Sequence, residues 1–224
     1  MQETYYIDKL YPFQDEILKI IEDLNLEFYL TGGTALGRCY LNHRYSDDLD
    51  FFVNDDDNFK TECNAAINAL KNRWTCDIAA TSGTFARIFL KAGDITLKVD
   101  FVNDVPDHYG EIKKFPLFHL IDSWRNILSN KLCALSRLEV KDIVDIVFIA
   151  KNYSFDWETI VGEAREKDLW IDPIEICRII DQFPIERLAT IKWTEAPNIK
   201  EFTEQLKTVH LDIFNGRENS LSHG

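Results

Sequence analysis

The side chains best suited to chemistry in this sequence are three aspartates. Asp48 and Asp50 sit in "SDDLDFF" (residues 46–52), and Asp100 sits in "LKVDFV" (residues 97–102). On a strand, alternate residues share a face. Asp48, Asp50 and Phe52 then point one way and Leu49, Phe51 and Val53 the other; Asp100 stands with Thr96 and Lys98, opposite Ile95, Leu97, Val99 and Phe101. If the two strands are neighbours in one sheet, three carboxylates converge, repel one another and require a cation. Magnesium meets that need, being a hard ion that takes one or two carboxylates, several waters and substrate phosphates. The competing reading is a solvated strand start, in which Asp47 and Asp48 end a loop. Neither "DLDFFV" nor "NDDDNF" has the glycine and distal glutamate of an EF-hand loop, so a dedicated calcium site is not expected.

A second feature precedes the aspartates. "YLTGGTALG" (residues 29–37) sets Gly32 and Gly33 between a strand and a helix. Bare backbone amides at a helix N-terminus can receive phosphate, and the Thr34 hydroxyl is a further donor. A P-loop is excluded, because G-x-x-x-x-G-K-[ST] is absent. Taken alone, the glycines could simply make a tight turn. Taken with the paired aspartates and a third aspartate on another strand, they form a constellation for phosphoryl transfer.

These residues need a sheet to hold them, and the pattern supplies one. Residues 10–24 carry Ile17, Ile20, Ile21 and Leu24 at helical spacing, and "LEFYLTGG" reads as a strand ending at the glycines. A helix over about 34–41 precedes the strand "DLDFFVN", and another follows over 57–73 after a polar run from Asn54 to Asn58. "WTCDIAAT", "TFARIFLKAG" and "DITLKVDFV" read as three strands, the last two joined by a short loop around Gly93. After Pro106 the chain turns helical, through 120–152, 156–169, 172–183 and 199–210. The fold class is α+β: a mixed sheet with flanking helices, followed by a mostly helical C-terminal half. The boundary falls within 104–118, giving domains of 1–112 and 113–224. The tail "FNGRENSLSHG" is expected to be loose.

Bulk properties narrow the class further. A chain of 224 residues is long for one average domain and short for two, and 46% hydrophobic residues with 12% aromatic allow a sizeable core. A net charge of −13 disfavours a broad electrostatic grip on nucleic acid, though not a local basic groove; Lys91, Lys98, Lys113, Lys114, Arg125 and Lys131 are candidates to line one. Five scattered cysteines without a C-x-x-C pair argue for reduced thiols and against a disulfide framework or zinc site. The N-terminus lacks the pattern of a signal peptide, and no run approaches the roughly 20 apolar residues that span a bilayer. A cytoplasmic protein with no membrane partner is expected.

The motifs together resemble the DNA polymerase β-like nucleotidyltransferase superfamily and, within it, the AbiEii/AbiGii toxin family. The resemblance rests on "GGTAL" (32–36), "RYSDDLDF" (44–51), "VDF" (99–101) and "NKLCALSRLEVKDIVD" (130–145), in that order, over about residues 26–150. It implies a nucleotidyltransferase-type sheet and transfer of NMP from an NTP to a hydroxyl, with Mg2+ or Mn2+ as cofactor. It implies that Asp48, Asp50 and Asp100 bind metal, with Asp100 also activating the attacking hydroxyl. Gly32, Gly33 and Thr34 would receive the triphosphate, with Ser46 in support and Arg44 a candidate phosphate contact. Lys131 would contact phosphate from the helical half, with Asp142 and Asp145 completing its motif. Lys141 stands where many relatives carry Arg. RNA, tRNA or a protein side chain would be the acceptor, and an antitoxin protein a partner. The alternatives are a small-molecule nucleotidyltransferase of the aminoglycoside-modifying type, whose cationic acceptor suits the acidic charge, and a non-catalytic relative that binds nucleotide or a partner. Against these roles stand simpler ones: Lys131 laying its stem over apolar surface, Arg38 and Arg44 as surface charges, Asp142 and Asp145 as solvated acids, and His43 as a structural residue.

Overall fold

The computed structural model describes residues 2–222. The chain divides into two compact units, Met1–Ser123 and Trp124–Gly224. The division falls later than the sequence-based boundary at 112/113, because residues 113–121 stay with the sheet: Lys113 pairs with Ile121, and Ile121 pairs with Leu30.

The first unit opens with helix over α1 (Gln2–Tyr5), a π-helical stretch (Tyr6–Leu10) and α2 (Tyr11–Asp23). Helix therefore begins well before residue 10, where the periodic pattern first shows. Strand β1 (Tyr29–Thr31) leads into α3 (Gly32–Ala35) and a further π-helical stretch (Leu36–Leu41), and a loop then delivers β2 (Leu49–Asn54). Helix α4 (Phe59–Lys71) precedes β3 (Thr75–Thr81), β4 (Phe85–Ala92) and β5 (Ile95–Asp104). These strands form one mixed sheet in the order β1-β2-β5-β4-β3; β2 and β5 run parallel, and the other neighbouring pairs are antiparallel.

Period-2 alternation decides which face is buried. Leu49, Phe51 and Val53 of β2 and Ile95, Leu97, Val99 and Phe101 of β5 are all buried. Phe51 stacks on Phe101 with ring centroids 5.5 Å apart, and Phe28 joins Phe101 at 5.1 Å and Phe59 of α4 at 6.1 Å. Each such side chain taken fully from water contributes about 1.5–3 kcal/mol. That apolar underside anchors the two strands that carry the aspartates on the other face.

The second unit is helical: α5 (Trp124–Ala134), α6 (Val140–Asn152), α7 (Trp157–Lys167), α8 (Pro173–Asp181) and α9 (Ile199–Asn215), with 3-10 turns at Leu135–Arg137 and Ile185–Thr190. Helix starts are marked by side-chain caps. Asp156 accepts from the Thr159 amide, Asp172 from the Ile174 amide ahead of α8, which Pro173 opens, and Asn198 from the Lys200 and Glu201 amides. Fully buried Trp157 lies in the core of this unit. The tail is not loose through residue 220. Buried Asn219 donates to the Ala150 and Tyr153 carbonyls, and the Ser220 amide and hydroxyl both donate to Asp212. Its last two residues, 223 and 224, lie outside the described residues. Among the described residues no helix is long and apolar enough to cross a membrane.

Candidate active site

Register across the sheet brings the chemistry together. Thr31 pairs with Asp50, Asp50 with Asp100, and Asp100 with Arg87, so one row crosses four strands from β1 to β4. Neighbouring strands lie about 4.8 Å apart and paired residues share a face, which puts the Asp50 and Asp100 side chains next to each other. Asp48 stands just before β2 with its side chain 25% exposed.

Two cations hold these carboxylates. Arg87 meets Asp100 as a fork, Nε to Oδ1 at 2.8 Å and Nη2 to Oδ2 at 2.7 Å. Lys98 lies between acids from both segments, its ammonium 3.0 Å from Asp48 and 3.4 Å from Asp100. Burial works against the Lys98 charge, but the fields of Asp50, Asp48 and Asp100 outweigh it and raise its pKa. The hydrogen bond to Asp100 likewise raises that of Arg87. Three carboxylates against two cations leave one net negative charge.

The glycine turn is packed from within the site. Gly32 has φ +67°, and a Cβ there would lie 2.6 Å from Asp50 Oδ2. A Cβ on Gly33 would lie 2.6 Å from Arg44 Nη2 and 3.0 Å from Ser46 Oγ. The absence of side chains at this turn therefore lets Asp50, Arg44 and Ser46 close on it. Thr34 is fully buried and its hydroxyl donates to the Asp48 carbonyl, tying α3 to the start of β2. Arg44 is buried and donates to the Tyr45 carbonyl. Ser46 accepts from buried Gln14 through its carbonyl at 3.2 Å.

Further supports were not anticipated. Tyr6 donates to Asp47 at 2.5 Å while stacking on Tyr45 at 4.3 Å, so the N-terminal helix braces the loop ahead of Asp48. Thr31 donates to buried Asp122 at 2.5 Å, and His108 lies 3.0 Å from the other Asp122 oxygen. The sequence does carry a signal for Arg87. The two-residue Gly93-Asp94 turn joins Ala92 to Ile95, and counting back from that turn sets Arg87 opposite Asp100.

Lys131, Asp142 and Asp145 gather with one another in the helical unit. All three are buried, with Lys131 Nζ 2.7 Å from Asp142 and 2.8 Å from Asp145. Lys141 is exposed. Arg38 is a tie within the first unit, 2.7 Å from Asp15 and 4.2 Å over the Tyr11 ring. Of the six basic residues considered for a groove, four are ion-paired inside their own units: Lys91 to Asp77, Lys98 to Asp48 and Asp100, Arg125 to Glu163, and Lys131 to Asp142 and Asp145. Lys113 and Lys114 are exposed.

Among the described residues no three His, Cys, Asp or Glu side chains are gathered into a metal cage. The donor set nonetheless suits a hard divalent ion, being all carboxylate oxygen with a residual negative charge. Asp48 and Asp100 meet instead at the Lys98 ammonium, which contacts both.

The chain resembles known proteins in sequence and in fold. The family model described as "Nucleotidyl transferase AbiEii toxin, Type IV TA system" matches residues 17–201. Two solved structures from Helicobacter pylori share the fold. One is JHP933, 21% identical with a TM-score of 0.59, covering 92% of this chain and 90% of its own. The other is described as a candidate nucleotidyltransferase, 20% identical with a TM-score of 0.60, covering 91% of this chain and 94% of its own. No curated protein matches the chain.

Proposed function

The chain belongs to the AbiEii family of nucleotidyl transferase toxins and is a nucleotidyltransferase; on that premise we propose that it moves NMP from an NTP to a hydroxyl of RNA, tRNA or a protein. The observation that carries this reading is the sheet row in which Asp50 and Asp100 are register partners beside the glycine turn. Asp48, Asp50 and Asp100 are the residues that would hold Mg2+ or Mn2+. When bound, such ions neutralise the triphosphate and stabilise the attacking and leaving oxygens.

The chain's own groups do the rest. The backbone of Gly32 and Gly33 at the start of α3 receives the phosphates, and Thr34 fixes that turn to the strand carrying the aspartates. Arg44 and Ser46 back the turn from beneath. The acceptor hydroxyl oxygen forms a bond to the α-phosphorus while the bond from that phosphorus to the bridging oxygen breaks. Pyrophosphate leaves with the electron pair, and the hydroxyl proton passes to Asp100, directly or through water. Arg87 keeps Asp100 oriented for that step. In the helical unit, Lys131 is paired with Asp142 and Asp145, a buried cluster that ties α5 to α6. The family's description as a type IV toxin–antitoxin system supports a toxin role with an antitoxin as counterpart.

One observation favours a second acceptor class. With a net charge of −13 and four of six candidate basic residues ion-paired, a cationic small molecule suits the surface better than a long phosphate backbone. Calorimetric titration of each NTP with and without Mg2+ tests the shared premise. Binding that needs Mg2+ and is lost in an Asp48→Asn, Asp50→Asn double variant is expected. Equal binding by the folded variant would remove the aspartates from the site. Transfer of α-labelled NTP to tRNA that falls steeply with salt selects the nucleic-acid acceptor; labelling of an aminoglycoside selects the other.

A further inference from the structure

We infer that Lys98 is a resident cation occupying the position between Asp48 and Asp100, so that metal loading and departure of the Lys98 ammonium are one exchange. The inference rests on the proposed metal-dependent site and concerns how this chain regulates access to it.

Three features support it. The Lys98 contacts with Asp48 and Asp100 are 3.0 and 3.4 Å, looser than the 2.8 and 2.7 Å fork that Arg87 makes with Asp100. Arginine's planar fork fixes a carboxylate, whereas lysine presents a point charge on a flexible stem that can withdraw. Of the two cations, Lys98 is therefore the one able to yield while Arg87 keeps Asp100 in place. Second, Lys98 has somewhere to go: its side chain is 24% exposed, and the next residue on its face, Thr96, is exposed. Third, Asp48 and Asp100 both lie within 3.4 Å of the one ammonium, so a single cation already bridges them.

The exchange has a functional consequence. A withdrawn Lys98 remains beside the site as a mobile cation, available to a phosphate oxygen of the incoming nucleotide. The protein without metal would hold Asp48 and Asp100 ion-paired, and an NTP arriving with its metal would drive the switch.

Mn2+ titration followed by electron paramagnetic resonance, at constant ionic strength, tests the exchange with wild type, Lys98→Met and Lys98→Arg. A charge at this range alters a carboxylate's affinity for a proton by roughly ten- to a thousandfold, so Lys98→Met should bind Mn2+ at least about tenfold more tightly. Lys98→Arg, which keeps the charge, should bind no more tightly than wild type. A second measurement needs no variant: acetic anhydride labelling of Lys98, read by mass spectrometry, should rise when Mg2+ is added. Mn2+ binding by wild type that is equal or weaker in folded Lys98→Met overturns the exchange and leaves the metal site standing. Unchanged Lys98 labelling under saturating Mg2+ also overturns it. Failure of every form to bind Mn2+, with or without NTP, overturns both the exchange and the metal-dependent reading.

Discussion

Replacing Gly32 by alanine should separate two costs that meet at one atom. With φ at +67°, an L-residue at this position carries about 1–2 kcal/mol of backbone strain. Its Cβ would also lie 2.6 Å from Asp50 Oδ2, and Asp50 must leave its rotamer to make room, at about 0.5–1.5 kcal/mol. Gly32→Ala should therefore destabilise the first unit by roughly 1.5–3.5 kcal/mol. Gly33→Ala differs: its clashes are with the ends of the Arg44 and Ser46 side chains, and its φ lies outside the left-handed region, so only about 0.5–1.5 kcal/mol is expected. Combining Gly32→Ala with Asp50→Ala removes the clash and keeps the strain. The double-mutant cycle should then show a coupling of about 0.5–1.5 kcal/mol, above the 0.3–0.5 kcal/mol within which independent sites add. Hydrogen exchange of peptides from β2 and β5, measured by mass spectrometry, reports the opening free energy of this unit directly. Additive single effects, or a Gly32→Ala protein as stable as wild type, would refute the idea that the glycine exists to admit Asp50. Transfer activity should fall in Gly32→Ala by more than its unfolded fraction explains.

In the helical unit, Lys131→Met leaves Asp142 and Asp145 buried without their cation and should cost about 3–5 kcal/mol. Urea unfolding followed by the fluorescence of Trp124, Trp157, Trp170 and Trp193, all in that unit, measures it; an unchanged midpoint would contradict the burial argument. Asn219→Ala removes two donations to the Ala150 and Tyr153 carbonyls and should cost about 1–3 kcal/mol, with new protease cleavage near residue 216. Burial pushes the thiols of Cys63 and Cys177 up to about 11. At pH 8 each is then about a thousandth thiolate, against about a quarter for a free thiol of pKa near 8.5. Both should resist iodoacetamide in the folded protein and react faster as pH climbs towards 11; rapid alkylation at pH 8, seen by intact mass, would contradict the burial.

Local patterns were legible in the sequence, and long-range pairings were not. Alternation in "DLDFFVN" and "DITLKVDFV" assigns the buried faces of β2 and β5 because a strand's period is set by its own residues. That Arg87 stands opposite Asp100 depends on register, which only the Gly93-Asp94 turn encodes. The glycine pair reads as an open cradle, yet side chains from residues 44, 46 and 50 fill its flank, a proximity no spacing reveals. Lys131 reads equally well as a phosphate contact or a solvated charge until α6 folds back to bury it between Asp142 and Asp145. The tail looks loose because its letters are polar, but Asn219 and Ser220 hydrogen-bond α6, the segment just after it, and α9. Helix before residue 10 shows no periodic apolar stripe, since its buried residues, Tyr6 and Leu10, stand on a π-helical stretch.

Internal cations at an acidic site also set how stability depends on metal. Arg87 and Lys98 already offset the charges of Asp48, Asp50 and Asp100, so the sheet can fold and persist before any ion binds. A chelator should then leave the wild-type melting temperature unchanged, unlike a structural metal whose removal unfolds its domain. Lys98→Met changes that balance: two of the acids lose a close counter-charge, and without metal the variant should melt below wild type. A ligand at a hundred times its dissociation constant adds about 2.7 kcal/mol to the folded state. Because the variant binds Mn2+ more tightly, the same Mn2+ concentration should raise its melting temperature more than that of wild type. Thermal scans with EDTA and with a Mn2+ series compare the two directly. Unfolding of wild type by EDTA, or a smaller Mn2+ shift in the variant, would show that the sheet relies on metal rather than on Lys98 for its charge balance.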